Sequence, residues 1–258
     1  MFEKIKCFIL DMDGTIYLGN ELFPFTKDFL KKVKETGREY YFFTNNSSKS
    51  QQAYIEKLGK LGIQIKKDQM MTSSHVIVKY LKEHYEGKSI YVLGTSSLIQ
   101  EFQYFDMNLT EEDPDIVVLG FDTTLTYEKL SKACHYIRNG CIYFGINPDW
   151  NCPMEGGAFI PDCGSIAKLI EASTGRFPEF FGKPSKHTLD YIIQETGYEP
   201  DEIAIVGDRL YTDIAVADQS DVTSILVLSG ESTREDVKTS DVKPNVILED
   251  LSEITKML

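Results

Sequence analysis

Three absences narrow the field before any motif is read. No apolar stretch approaches the roughly 20 residues that a membrane-spanning helix needs, so no membrane association is expected. An excess of positive charge is also missing. The 27 Lys and Arg stand against 40 Asp and Glu, for a net charge of −13, whereas nucleic acids and anionic membranes select a basic surface. Paired cysteines are the third absence. Cys7, Cys134, Cys141, Cys152 and Cys163 are odd in number and form no C-x-x-C, and His75, His84, His135 and His187 show no ligand spacing with them. This pattern excludes a disulfide framework and a zinc site and points to reduced thiols. The one apolar run before Asp11 is Cys7 to Leu10, too short for a signal-peptide core. A cytoplasmic location is therefore expected, with the sequons at Asn45, Asn46 and Asn108 fortuitous. No Gly-x-Gly-x-x-Gly follows any candidate strand, which leaves a dinucleotide fold without support, and no internal repeat is visible.

What is present is a chain of 258 residues, 42% of them hydrophobic, enough for a sizeable core and one or two domains. Apolar runs alternate with helical periodicity along its length. Cys7 to Leu10, Glu39 to Thr44 and Met70 to Thr72 read as strands, with helices over Pro24 to Glu35, Lys49 to Leu61 and after Thr72. A second round comes next: strands over Ser89 to Gly94, Asp115 to Gly120 and Cys141 to Ile146, and helices over Ser96 to Tyr104 and Thr126 to Asn139. Such alternation predicts an α/β fold with parallel sheets and crossover helices. Asn147 to Gly164 is the least regular stretch. It holds the only tryptophan, and a loop of that length is functional or disordered as a rule; Trp150 argues against disorder and reads either as a core aromatic between domains or as part of a functional loop. Further on come a helix over Ser165 to Thr174, another opened by Ser185, a last strand over Ile225 to Leu228 and a terminal helix from Leu251.

Four strand ends carry polar chemistry. The first strand runs into Asp11-Met12-Asp13-Gly14-Thr15. Residues i and i+2 of a strand share a side, so Asp11 and Asp13 converge where open α/β sheets bind ligands. Two such carboxylates repel unless a cation lies between them or one holds a proton. The second strand ends in Thr44-Asn45-Asn46-Ser47-Ser48, which can either hold an anion by hydrogen bonds or cap the next helix. Phe180-Phe181 delivers Lys183 between Gly182 and Pro184, a way of holding a cation toward a phosphate. Glu202 to Gly207 runs into Asp208, with Asp213 five residues on; Asp208 is a helix cap or a metal-binding carboxylate.

In order and in context, these four stretches resemble the four motifs of the haloacid dehalogenase (HAD) superfamily. The resemblance implies a Rossmann-like parallel-sheet core with an α/β cap domain inserted between the second and third motifs, because the first two motifs stand too close together to enclose a domain and the interval from Thr44 to Lys183 does not. The expected boundaries are 1–75 and 179–258 for the core and 76–178 for the cap. That arrangement, with Asn147-Pro148-Asp149, is similar to the NagD-like, or 4-nitrophenylphosphatase, branch. Pro161-Asp162-Cys163-Gly164 departs from the Pro-Gly-rich run of relatives, so the reaction class carries over and the substrate does not. What the resemblance implies is a Mg²⁺-dependent phosphatase of small phosphorylated metabolites. Asp11 is then the nucleophile and Asp13 the acid and base. Asp11, the backbone carbonyl of Asp13 and Asp208 hold the metal, with Asp213 outside or behind them, and Thr44, the Asn45 backbone and Lys183 bind the phosphoryl group. Caps in this branch often self-associate. Two alternatives stay open: a phosphotransferase or mutase acting on sugar phosphates, and a catalytically silent module that binds a phospho-ligand.

Overall fold

The computed structural model describes residues 2–154 and 157–258. Its strands are β1 (Cys7–Leu10), β2 (Tyr17–Leu18), β3 (Glu21–Leu22), β4 (Glu39–Thr44), β5 (Met70–Thr72), β6 (Ile90–Leu93), β7 (Ile116–Leu119), β8 (Ile142–Gly145), β9 (Asn151–Pro153), β10 (Phe159–Pro161), β11 (Glu179–Phe180), β12 (Ile203–Gly207), β13 (Thr223–Val227) and β14 (Val246–Leu248). Its α-helices are α1 (Thr26–Glu35), α2 (Gln51–Lys60), α3 (Ser73–His84), α4 (Ser96–Tyr104), α5 (Tyr127–Arg138), α6 (Cys163–Thr174), α7 (Lys186–Thr196), α8 (Arg234–Thr239) and α9 (Leu251–Met257). None is long and apolar enough to cross a membrane among the described residues. The chain forms two compact units, one of residues 1–44, 55–71 and 183–258, the other of residues 45–54 and 72–182.

The first unit is built on a six-stranded sheet in the order β14-β13-β12-β1-β4-β5. The pairs β1–β12, β1–β4, β12–β13 and β13–β14 are parallel. All four residues of β1 are buried, which is why that strand is apolar without alternation. Phe8 of β1 packs edge-on against Phe29 of α1 at 5.7 Å between centroids, a favoured geometry for two aromatic quadrupoles. The register fixes where the strand ends emerge. Leu10 stands opposite Phe42 of β4 and Val206 of β12, so the residues just past these strands leave side by side at one sheet edge.

The second unit holds a parallel sheet in the order β11-β8-β7-β6. Val117 and Leu119 of β7 pack with Ala133 and Ile137 of α5 and with Ile166, Ala167 and Ile170 of α6 in one core. Helices α4 and α5 start where Thr95 and Thr126 accept the amide of the third residue on, and α6 ends on Gly175 in the left-handed region.

Several expectations need correction. Part of the segment 147–164 is regular: β9 and β10 pair antiparallel there, and the prolines at Pro153 and Pro161 had masked two three-residue strands too short to show alternation. Glu155 and Gly156 of that segment lie outside the described residues. Trp150 is no core aromatic, since 47% of it is exposed. Ile225 to Leu228 is not the last strand, because β14 extends the sheet edge beyond it. The β2–β3 hairpin and α8 escaped notice because each is too short for periodicity to register.

Candidate active site

Beyond the β1 edge stands a buried charge cluster. The amide of Asp11 still donates to Val206 O at 2.9 Å, extending the ladder by one residue. Its side chain then meets Lys183, whose Nζ lies 2.6 Å from Asp11 Oδ1 and 2.6 Å from Asp213 Oδ1. The Lys183 side chain is only 3% exposed; it also donates to Phe43 O at 3.4 Å and stands over the Phe43 ring. Burial alone would favour the neutral amine, but the Asp11 and Asp213 carboxylates outweigh it and hold the ammonium charged above its usual range.

Asp208 completes the group. It follows β12, is buried, and accepts the Glu231 amide at 2.7 Å. Carboxylate oxygens of Asp11, Asp208 and Asp213 all lie within 4.8 Å of one another. Burial and the neighbouring Asp213 charge raise Asp11 to about 7, against the pull of Lys183 and Arg209. Burial, followed by repulsion from Asp213 and Asp11, also raises Asp208. Three carboxylates gather beside one buried ammonium, and a divalent cation with oxygen preference is the partner such donors select.

Close approach to Asp208 is possible only because two residues lack side chains. A Cβ on Gly14 would stand 2.3 Å from Asp208 Oδ2, and Gly14 also has φ +85°. A Cβ on Gly230 would stand 2.0 Å from the same oxygen. The turns after β1 and β13 thereby clamp the carboxylate, and Ser229 Oγ ties them together by donating to Gly14 O at 2.7 Å.

The chain aligns with two models of HAD-type hydrolases, "Haloacid dehalogenase-like hydrolase" over residues 8–108 and "HAD-hyrolase-like" over residues 180–254. It is 34% identical over 252 residues to an acid sugar phosphatase of Staphylococcus aureus, covering 97% of both chains. The structure is similar to a 4-nitrophenylphosphatase of Thermotoga maritima, with a TM-score of 0.95, 43% identity and coverage of 99% of this chain and 98% of that one. It is also similar to NagD of E. coli K-12, with a TM-score of 0.88, 30% identity and coverage of 96% and 98%. The chain belongs to the haloacid dehalogenase-like hydrolases. It is a phosphatase of that family, with the α/β fold of the NagD-like branch.

Of the site residues named from the sequence of this HAD hydrolase, Asp11, Lys183, Asp208 and Asp213 come together. Asp213 belongs to the carboxylate cluster itself. The Asp13 carboxylate does not; it accepts the Gly19 amide at 3.3 Å. Thr44 ends β4, buried, on the strand next to β1. Asn45 falls in the second unit, where its side-chain amide donates to Asp149 Oδ2 at 2.9 Å and its carbonyl accepts Ser73 Oγ. Two contributions were not legible in advance. Arg209, paired through Nε with Glu231 at 2.9 Å, adds positive charge that acts on Asp11 and Asp208. The backbone of Glu231 and Ser232 cradles Asp208; the Gly-Glu-Ser run after β13 reads as an ordinary turn, and its only signal is the glycine.

Proposed function

We propose that this chain hydrolyses small phosphomonoesters through an aspartyl-phosphate at Asp11, with Mg²⁺ as its ion. The observation that carries this is the Lys183 ammonium, buried 2.6 Å from Asp11 and from Asp213. A cation held there can receive phosphoryl oxygens while Asp11 reaches phosphorus. Asp11 Oδ forms the bond to phosphorus as the ester P–O bond breaks, and Asp13, protonated, gives its proton to the departing oxygen. A water molecule then attacks phosphorus and yields its proton to Asp13, and Asp11 departs as a carboxylate. Thr44, the Asn45 backbone and Lys183 are assigned to the phosphoryl oxygens.

The donor set fits a hard divalent ion. Asp11, Asp208 and the backbone carbonyl of Asp13 would hold it, with Asp213 beside them, and the bound ion supplies charge neutralisation for the transferring phosphoryl group. The segment 76–178 is assigned as a cap that selects the substrate, with 1–75 and 179–258 as the catalytic core. The names of the relatives support sugar phosphates and nitrophenyl phosphate as the first compounds to try.

The test is phosphate release from a panel of phosphomonoesters, with Mg²⁺ and with chelator, beside Asp11→Asn. Release that needs the metal and is lost in the variant supports the proposal. Undiminished release by folded Asp11→Asn sinks the covalent route.

A further inference from the structure

The short hairpin after the first motif makes contacts that its sequence does not announce. Tyr17 is fully buried, pairs with Leu22 across β2 and β3, and forms an isolated bridge with Asp13. Its carbonyl accepts the Gly14 amide at 2.8 Å. Two residues on, the Gly19 amide donates to Asp13 Oδ1 at 3.3 Å. The hairpin and the Asp13 carboxylate are thus one hydrogen-bonded piece, and whatever fixes Tyr17 fixes where Asp13 points.

One contact on the Tyr17 ring comes from a helix distant in sequence. Lys57 of α2 places its Nζ 3.7 Å from the centroid of the Tyr17 ring. Lys57 is half-buried and on the part of α2 that belongs to the first unit. An ammonium over an aromatic face is attracted by the ring quadrupole, more strongly where water is displaced. Tyr17 is fully covered, so this contact is sheltered on the ring side.

We propose that Lys57 is a positioning residue for Asp13, acting through the Tyr17 ring and the β2–β3 hairpin, and that this contact sets the efficiency of proton delivery to the leaving group. The inference rests on the role given to Asp13 above. Nothing in the four motifs contains Lys57, and its role rests on its place over the Tyr17 ring. Its effect on kcat/KM must therefore appear in proton delivery to the departing oxygen, because the second step of Asp13, taking a proton from the attacking water, comes after the leaving group has gone and is common to every ester. Proton delivery matters most when the departing oxygen is a poor leaving group, such as an alkoxide, and least when it is nitrophenolate, which departs without a proton.

The experiment compares kcat/KM for glycerol phosphate and for nitrophenyl phosphate in wild type, Lys57→Ala, Lys57→Met and Lys57→Arg, with Mg²⁺ present. Lys57→Ala and Lys57→Met are expected to lose about tenfold in kcat/KM on glycerol phosphate and no more than about twofold on nitrophenyl phosphate, a fraction of what general acid catalysis contributes. Lys57→Arg, which keeps the charge over the ring, should restore the alkyl ester rate. Equal losses on both esters, or full activity on both, would overturn the inference, because a merely structural lysine acts without regard to leaving group. A wild type that hydrolyses neither ester, or an Asp11→Asn variant at the wild-type rate, would instead remove the proposed function and this inference with it.

Discussion

Lys183 decides the electrostatics of the site, one side chain against three carboxylates. Removing one partner of a buried ion pair leaves the other charged and unmatched, at a cost of about 3–5 kcal/mol. Lys183→Met should therefore abolish phosphate release and lower the unfolding free energy of the metal-free protein by about 3 kcal/mol, as read from denaturant melts. Its effect on stability should shrink when Mg²⁺ is present, because the ion supplies the missing positive charge. A second residue makes the opposite case. The Tyr143 hydroxyl is buried with no hydrogen-bond partner among the described residues, inside the core of the second unit. Burial pushes its pKa up, so it stays neutral. Tyr143→Phe deletes an unsatisfied group and keeps the ring, so stability should rise by about 1 kcal/mol, measurable as a higher melting temperature.

Among the elements, the turn after β13 is the least expected contributor. Gly230→Ala would set a Cβ 2.0 Å from Asp208 Oδ2. We expect the sheet to survive and the carboxylate to move, with metal affinity and kcat/KM falling at least about tenfold for a displacement of this order; calorimetric Mg²⁺ titration beside circular dichroism checks both halves. This turn also shows where the sequence stops being legible. Strands β1, β6 and β12 are continuous apolar runs and stand where hydrophobicity alone places them. Asp11 and Asp208 were legible because each sits directly after such a run, and Lys183 because Gly182 and Pro184 frame it after Phe180-Phe181. The three-residue strands β9 and β10, each ending in proline, were not. The cradle for Asp208 was equally hidden, because it consists of backbone amides from Glu231 and Ser232, and amides carry no sequence signature. Trp150 stayed open between a core and a loop role for a different reason: burial depends on neighbours that a linear sequence does not show.

For the whole molecule, the −13 charge and the buried acidic cluster give stability a defined pH dependence. Asp11 is raised in the folded state to about 7 from an ordinary carboxylate value, so the folded protein binds more protons than the unfolded chain in the range between them. Stability from this group is fully present below the unfolded value and is lost as pH rises through about 7. With chelator, the melting temperature should decline from pH 5 toward pH 8, and Asp11→Asn should flatten that decline. Added Mg²⁺ should raise the melting temperature more at pH 8 than at pH 5, because ion and proton compete for the same carboxylates.

The central claim is that Asp11 becomes covalently phosphorylated. Rapid acid quench during turnover of nitrophenyl phosphate, followed by peptide mass analysis, tests it most directly. The account predicts one added phosphoryl group on the peptide that contains Asp11 and none in Asp11→Asn. Steady turnover with no phosphorylated peptide at any quench time, and an Asp11→Asn variant that still releases phosphate, would contradict it.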